Sequence, residues 1–270
     1  MKRQLSILVL ALVAIFGAES AKAWTNYAHG TAAYIAEQHL TPEAKAKCHY
    51  YLKHTLPYYA SWMDAYRGSK TFYSVNRSHT GRTTADGKSY DFVNGKPKGG
   101  VMGHLVNALE ELGDGKYKNL PDSIVRQRLI NMAHYIPDMH CPVHIVFPES
   151  IVPGQKDMQL HKNGKSVSYH SFWDNSLGHD GRIDWPYEKI TAIIDVLSEE
   201  EIKEIQKGTL EDWTKDIIEM GYRAREILPQ GTNVADLTPE QKEEMFKLSS
   251  KAVLIGGYRL AHIINTIFAE

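Results

Sequence analysis

The chain has 270 residues, 23% of them charged and 43% hydrophobic, with a formal net charge of −1 at pH 7. That balance is compatible with one globular domain burying a sizeable core. It lacks the basic excess that wraps duplex DNA electrostatically, so a polyanionic substrate would need positive charge supplied locally, as by bound metal ions.

Lys2 and Arg3 precede an apolar stretch over residues 5–16, and Ala21-Lys22-Ala23 is a small-x-small cleavage site. This is the pattern of a secretory signal peptide over residues 1–23. The apolar run is short of the about 20 residues that span a bilayer. Removal leaves Trp24 first, a domain of residues 24–270, and a formal charge of −3. The mature chain is expected to be secreted or periplasmic, without a stable membrane anchor, and monomeric.

Residues 28–40 carry apolar side chains at helical spacing. Thr41-Pro42-Glu43 then supplies a cap, a first-turn proline and an early acid for a second helix. Helices are expected over 59–66, 101–112, 123–135, 187–196 and 209–227. Leu237-Thr238-Pro239-Glu240 repeats the start signal and opens a long segment reaching Phe268. Residues 76–100 are polar and Gly-rich and read as a long loop. Residues 157–169 contain Asn163-Gly164 between partly alternating side chains, a hairpin signal. The expected fold is mostly α, a single helical domain with a minor β-hairpin. Asn76-Arg-Ser78 is read as a chance match to a glycosylation sequon.

The thirteen histidines matter less by number than by company. His134 and Asp138 are four apart, which places them on one face of a helix. His140 and His144 follow closely, with Pro137 able to kink the helix and Pro142 able to end it. His170 and Asp174 repeat the four-residue spacing. Asp64 stands in Trp62-Met63-Asp64-Ala65-Tyr66-Arg67, His79 comes 15 residues later, and His29 lies near the mature start. A single histidine is ordinarily a surface or core residue. Two such pairs in an exported chain point to a metal site, and imidazole with carboxylate suits zinc. Of the two cysteines, neither belongs to a CxxC knuckle. Export permits a bridge between Cys48 and Cys141, and their spacing does not choose between a bridge and two buried thiols.

In order and local spacing these motifs resemble the S1/P1 nuclease family, which shares its helical fold with bacterial zinc-dependent phospholipases C. The resemblance spans nearly the whole mature chain. It runs through Trp24 and His29, the Trp62-Asp64-Arg67 block, His79, the block from His134 to His144, and His170-Trp173-Asp174. It implies three Zn2+ ions. One would be held by Asp64, His79, His134 and Asp138, and a second by His144, His170 and Asp174. The third would be held by the amino nitrogen and carbonyl oxygen of Trp24, by His29 and by a shared Asp138. His140 belongs to the motif without being a family ligand, so a structural or supporting role is expected. A free α-amine titrates near 7.7–8.0 and is partly neutral near pH 7, whereas an amide nitrogen cannot chelate, so processing would complete the site.

The resemblance implies a zinc-dependent phosphodiester hydrolase acting on single-stranded nucleic acid or nucleotides, with a 3′-phosphomonoester as a further substrate class. Asp64 would orient the attacking water, and Arg67 would hold the phosphate as charge develops. Base recognition departs from the family pattern. His79-Thr80-Gly81-Arg82 has Arg where the family often has acid, and the usual Gly-Gly-Asn is missing between the late metal blocks. His161 and Tyr169 are candidates to line the cleft or else hairpin surface, and Tyr58, Tyr59, Tyr73 and Tyr90 are candidates to stack bases, although aromatic residues at such positions are more often core or loop packing. The competing readings are a zinc-dependent phospholipase C, disfavoured by Asp rather than Glu at 174, and a non-catalytic exported zinc-binding protein.

Overall fold

The computed structural model describes residues 24–66, 79–93, 96–97 and 99–269. Residues 1–23, expected to be a signal peptide, lie outside the described residues, as do Arg67, Tyr73 and the Asn76-Arg-Ser78 sequon. In chain order come α1 (Asn26–Gln38), α2 (Pro42–Leu52), α3 (Leu56–Tyr59) and α4 (Trp62–Ala65). Three two-residue strands follow, β1 (Gly81–Arg82), β2 (Phe92–Val93) and β3 (Lys96–Pro97), then α5 (Gly100–Leu112) and α6 (Asp122–His140). Next are β4 (Ile145–Val146), β5 (Gln159–Lys162), β6 (Lys165–Ser168) and α7 (Tyr169–Asp174). The chain closes through α8 (Tyr187–Ile194), α9 (Glu199–Gln206), α10 (Leu210–Ile227) and α11 (Pro239–Phe268). The fold is mostly α, as expected.

The start signals act as their chemistry dictates. Thr238 and Gln241 exchange side-chain and backbone hydrogen bonds in a capping box at α11, with Pro239 in the first turn. Thr41 caps α2 through the Ala44 N–H. Asn163 and Gly164 sit at φ 51° and 73°, the left-handed pair that a two-residue hairpin requires, and they join β5 to β6 with Leu160 opposite Val167.

Boundaries differ where tertiary contacts override local signals. The helix expected over 59–66 is two single turns, α3 and α4. The break leaves the Ala60 carbonyl accepting a 2.7 Å hydrogen bond from Nδ1–H of His134. The helix expected to end at 135 runs through Pro137 to His140, because every residue from Leu129 to His140 is buried and packing outweighs the proline's lost hydrogen bond. The loop over 76–100 carries β1, which pairs in parallel with β4, and the short β2–β3 hairpin. Two helices had no sequence expectation. They are α7, capped by Ser168, and α9, opened by a Ser198–Glu201 capping box.

The 30-residue α11 is the spine, and α1 and α6 lie against it. A glycine allows the α1 contact. A Cβ at Gly257 would meet Ile35 Cγ2 at 2.8 Å and the Ala32 carbonyl oxygen at 2.9 Å, so α1 can approach only a bare backbone. On the α6 side a Cβ at Gly256 would make ordinary contacts with Pro137 and His140 at 3.6 Å. Cys48 and Cys141 are both buried free thiols.

The C-terminal end of α6 is held by a buried polar network. Nδ1–H of His140 donates to the Ile136 carbonyl at 2.7 Å, so its Nε2 lone pair accepts from Nη1 of Arg259 at 3.0 Å. Arg259 also donates from Nε to the Ile205 carbonyl at 3.0 Å, pairs with Asp216, and stacks on Trp213. Burial, and after it the Arg259 charge, push the His140 pKa down to about 3. The folded chain therefore keeps this ring neutral while an unfolded chain protonates it below about 6.5. Stability contributed by the neutral ring is present above that value and falls as the pH drops toward 3, by up to about 1.4 kcal/mol per pH unit. Urea unfolding of chelated protein between pH 7 and 4 should show a shallower acid decline for His140→Gln than for wild type. Equal slopes would mean that His140 takes up no proton on unfolding.

Candidate metal centre

Six segments bring the site together. α6 presents His134 and Asp138 one turn apart. α1 contributes His29 from its first turn, and α4 contributes Asp64. His79 lies just before β1 and His144 just before β4. Those strands pair in parallel, and the Gly81 N–H donates to the His144 carbonyl at 2.9 Å, which clamps the two histidine segments side by side. α7 supplies His170 and Asp174. Thr25, which precedes α1, donates from both its N–H and its hydroxyl to the Asp174 carbonyl at 3.2 Å, tying the start of α1 to α7.

Asp138 is the hub. Its Oδ2 lies 2.9 Å from His79 Nδ1 and 3.0 Å from His134 Nε2; its Oδ1 lies 3.1 Å from His144 Nδ1 and 3.3 Å from His29 Nε2. Asp64 stands slightly further out, 3.7 Å from His79, 3.9 Å from His134 and 3.9 Å from His29. On the other side His144 Nε2 is 3.5 Å from Asp174 Oδ1, and His170 Nε2 is 3.2 Å from Asp174 Oδ2. Two nitrogen or oxygen donors on one tetrahedral zinc ion, at about 2.0–2.1 Å each, stand about 3.3 Å apart. Most of these spacings cluster around that value.

The electrostatics ask for a cation. Asp138, His29, His134, His144 and Asp174 are all buried. Among the described residues, neither oxygen of Asp138 and neither ring nitrogen of His29 or His144 makes a hydrogen bond of acceptable geometry. Burial alone would raise the Asp138 pKa, yet the charges of His134 and then His144 hold it well below the usual carboxylate range. Burial, followed by the neighbouring His134, pushes His29 down to about 4, which keeps one ring nitrogen's lone pair available. His134 is raised above its ordinary value because the Asp138 carboxylate outweighs burial. Its Nδ1–H is committed to Ala60, so Nε2 faces the cluster as a donor atom should. Imidazole and carboxylate donors of this kind fit first-row divalent ions.

The sequence-predicted residues His29, Asp64, His79, His134, Asp138, His144, His170 and Asp174 thus lie in one continuous cluster. The tightest donor groups are His29–His134–Asp138, Asp64–His79–His134 and Cys141–His144–Asp174. Trp24, one residue before Thr25, is buried, and Arg67 lies outside the described residues. His140 does not face the cluster; it faces Arg259.

Several aromatic expectations change. Tyr59 and Tyr90 are buried, Tyr59 with its hydroxyl donating to the Leu52 carbonyl at 2.9 Å, so neither can stack a base. Tyr169 is buried with its hydroxyl on the Ala224 carbonyl at 2.8 Å and does not line a cleft. Tyr58 is exposed, and His161 sits on the exposed side of the hairpin, bridged to Asn233. Cys141 is the residue that sequence reasoning left out of the cluster. Its spacing, three residues after Asp138 and three before His144, carried the signal.

The described residues define a predominantly helical protein with a buried His/Asp centre able to hold divalent metal. Among them no helix is long and apolar enough to cross a membrane. A family profile described as S1/P1 Nuclease matches residues 24–269, and the chain belongs to that family. It is similar to Endonuclease 1 of Arabidopsis thaliana, 21% identical over 299 residues that cover 98% of this chain and 93% of that protein. Family membership makes the protein a nuclease-type phosphodiesterase.

Divalent metal must displace protons from this cluster, so its affinity should fall as the pH drops from 7 to 5. Asp138→Asn should weaken binding more than alanine at any one of the facing histidines, because four imidazoles share that carboxylate. Competition against a chromophoric chelator measures both, and wild-type affinity in Asp138→Asn would exclude the carboxylate as the shared donor.

Proposed function

We propose that the mature chain is an exported, zinc-dependent nuclease that hydrolyses phosphodiester bonds of single-stranded nucleic acids or nucleotides at a three-zinc centre. The observation that carries the reading is the buried Asp138 carboxylate. Four imidazoles from four segments lie within 3.3 Å of it, and neither of its oxygens is satisfied by hydrogen bonding among the described residues. Asp64, His79, His134 and Asp138 would hold one zinc, and His144, His170 and Asp174 a second. The amine and carbonyl of Trp24, with His29 and Asp138, would hold the third. Residues 1–23 form the leader and residues 24–270 the enzyme. The profile match beginning at Trp24 supports this division.

Bound zinc supplies Lewis acidity for water activation and neutralises phosphate charge. The chain's own groups supply the rest. The Asp64 carboxylate, near the rim of the cluster, accepts a hydrogen bond from the attacking water and orients it toward phosphorus. The water oxygen forms the new P–O bond and gives its proton to solvent through Asp64, the ester P–O bond breaks opposite it, and the leaving oxygen takes a proton from solvent. Arg67 donates to the phosphate oxygens as their charge grows. The name of the Arabidopsis relative, an endonuclease, favours internal cleavage over release of terminal nucleotides.

Arg67→Ala should lower kcat on single-stranded DNA or RNA by about 10²–10³-fold with zinc content unchanged. Loss of zinc in that variant would assign Arg67 a structural role instead. Hydrolysis of phosphatidylcholine but not of nucleic acid would replace the nuclease reading with a phospholipase one. Full zinc with no hydrolysis of either would leave a metal-binding protein. A mature chain carrying one extra residue before Trp24 should bind one zinc fewer than the chain that begins at Trp24. Equal zinc content and activity in the two would remove Trp24 from the site.

A further inference from the structure

We infer that Cys141 is a thiolate ligand of the metal position formed by His144, His170 and Asp174, which makes that position a four-donor site of two nitrogens, one oxygen and one sulfur. The inference rests on the proposed metal reading and adds a donor to it. Cys141 is fully buried at the end of α6, with its Sγ 3.7 Å from Asp174 Oδ1. A tetrahedral zinc ion with sulfur at about 2.3 Å and oxygen at about 2.0–2.1 Å holds those two atoms about 3.6 Å apart. Donor atoms of Cys141, His144 and Asp174 all lie within 4.8 Å of one another, and His170 Nε2 reaches Asp174 from the far side at 3.2 Å.

The backbone enforces the convergence. The His144 N–H donates to the Cys141 carbonyl at 3.0 Å across Pro142 and Val143, a tight turn that folds both side chains toward α7. The surroundings point to a ligand independently of the thiol. Asp174 Oδ2 and both ring nitrogens of His144 are buried without a hydrogen-bond partner among the described residues. Cys48 makes the contrast, because it is buried in α2 and belongs to no donor group among the described residues.

The consequence is chemical. A thiol that joins a divalent ion gives up its proton to solvent, and the sulfur takes the position that water would otherwise occupy. With one carboxylate and one thiolate the position is electrically neutral. It is then a closed, soft, zinc-selective anchor, and water activation falls to the Asp138 side of the cluster.

The mature full chain, loaded with zinc or with cobalt, provides the test. Zinc X-ray absorption should require a sulfur at about 2.3 Å beside nitrogen and oxygen at about 2.0–2.2 Å. The cobalt form should show a thiolate-to-metal charge-transfer band in the near ultraviolet. Cys48→Ala should keep the sulfur signal and the band, and Cys141→Ala should lose both. A wild-type protein that binds its metal with nitrogen and oxygen alone overturns the inference and leaves the zinc reading standing. A wild-type protein that binds no metal overturns both. The wild-type spectra decide the question even where Cys141→Ala fails to fold.

Discussion

A carboxylate removed from water is costly unless charge and hydrogen bonds replace the solvent it loses. Asp138 is fully buried in the middle of a helical core, and what replaces its solvent is a ring of imidazoles. His29 comes from α1, His79 from the segment before β1, His134 from the same helix, and His144 from the turn after it. The arrangement is not balanced by protons alone. Burial pushes His29 to about 4, so at neutral pH that ring is uncharged and one of its nitrogens carries a lone pair. A divalent cation between them would satisfy both, because it accepts electron pairs from imidazole and carboxylate alike.

The rest of the fold supplies rigidity to this one contact. α6 is buried all the way round from Leu129 to His140, and its register sets where His134 and Asp138 point. Gly257 lets α1 approach α11, and α6 packs on the same helix, so the helices bearing Asp138 and His29 rest on a common spine. Arg259 pins the far end of α6 through His140, and the Ala60 carbonyl orients His134 from the other side. A change far from the cluster that moved α6 by even a fraction of an ångström would alter several donor distances together. The imidazoles are long levers on short, tightly packed supports.

Local chemistry made much of this legible in advance. The four-residue spacings of His134–Asp138 and His170–Asp174 survive as helical faces, on α6 and on the short α7. The Asn163-Gly164 turn and the Thr238-Pro239 start act through backbone preferences that need no partner, so sequence is enough to read them. What escaped depends on partners distant in sequence. Pro137 reads as a kink past the helix expected to end at 135, yet α6 passes through it because the helix is buried on every side. Tyr59 and Tyr90 read as stacking faces or as core, and burial decides for the core. The break between α3 and α4 has no turn signature of its own; it coincides with the Ala60 carbonyl that serves His134, 74 residues away. Cys141 was missed for a different reason. Two cysteines suggested only a bridge or inert thiols, and its place beside Asp174 follows from a tertiary contact 33 residues along the chain.

The start of α1 links the two halves of the cluster. Thr25 is fastened by two hydrogen bonds to the carbonyl of Asp174, and one turn later His29 faces Asp138. That first turn therefore bridges the Asp174 side and the Asp138 side. Sliding α1 by one residue would rotate His29 by about 100° and carry it off the carboxylate. Trp24, one residue before Thr25, is buried. On the proposed reading, removal of the leader acts at this place. It converts an amide nitrogen into an amine able to bind metal. The chain terminus is then a structural element of the centre, held by Thr25 on one side and by the metal on the other, where most termini would fray.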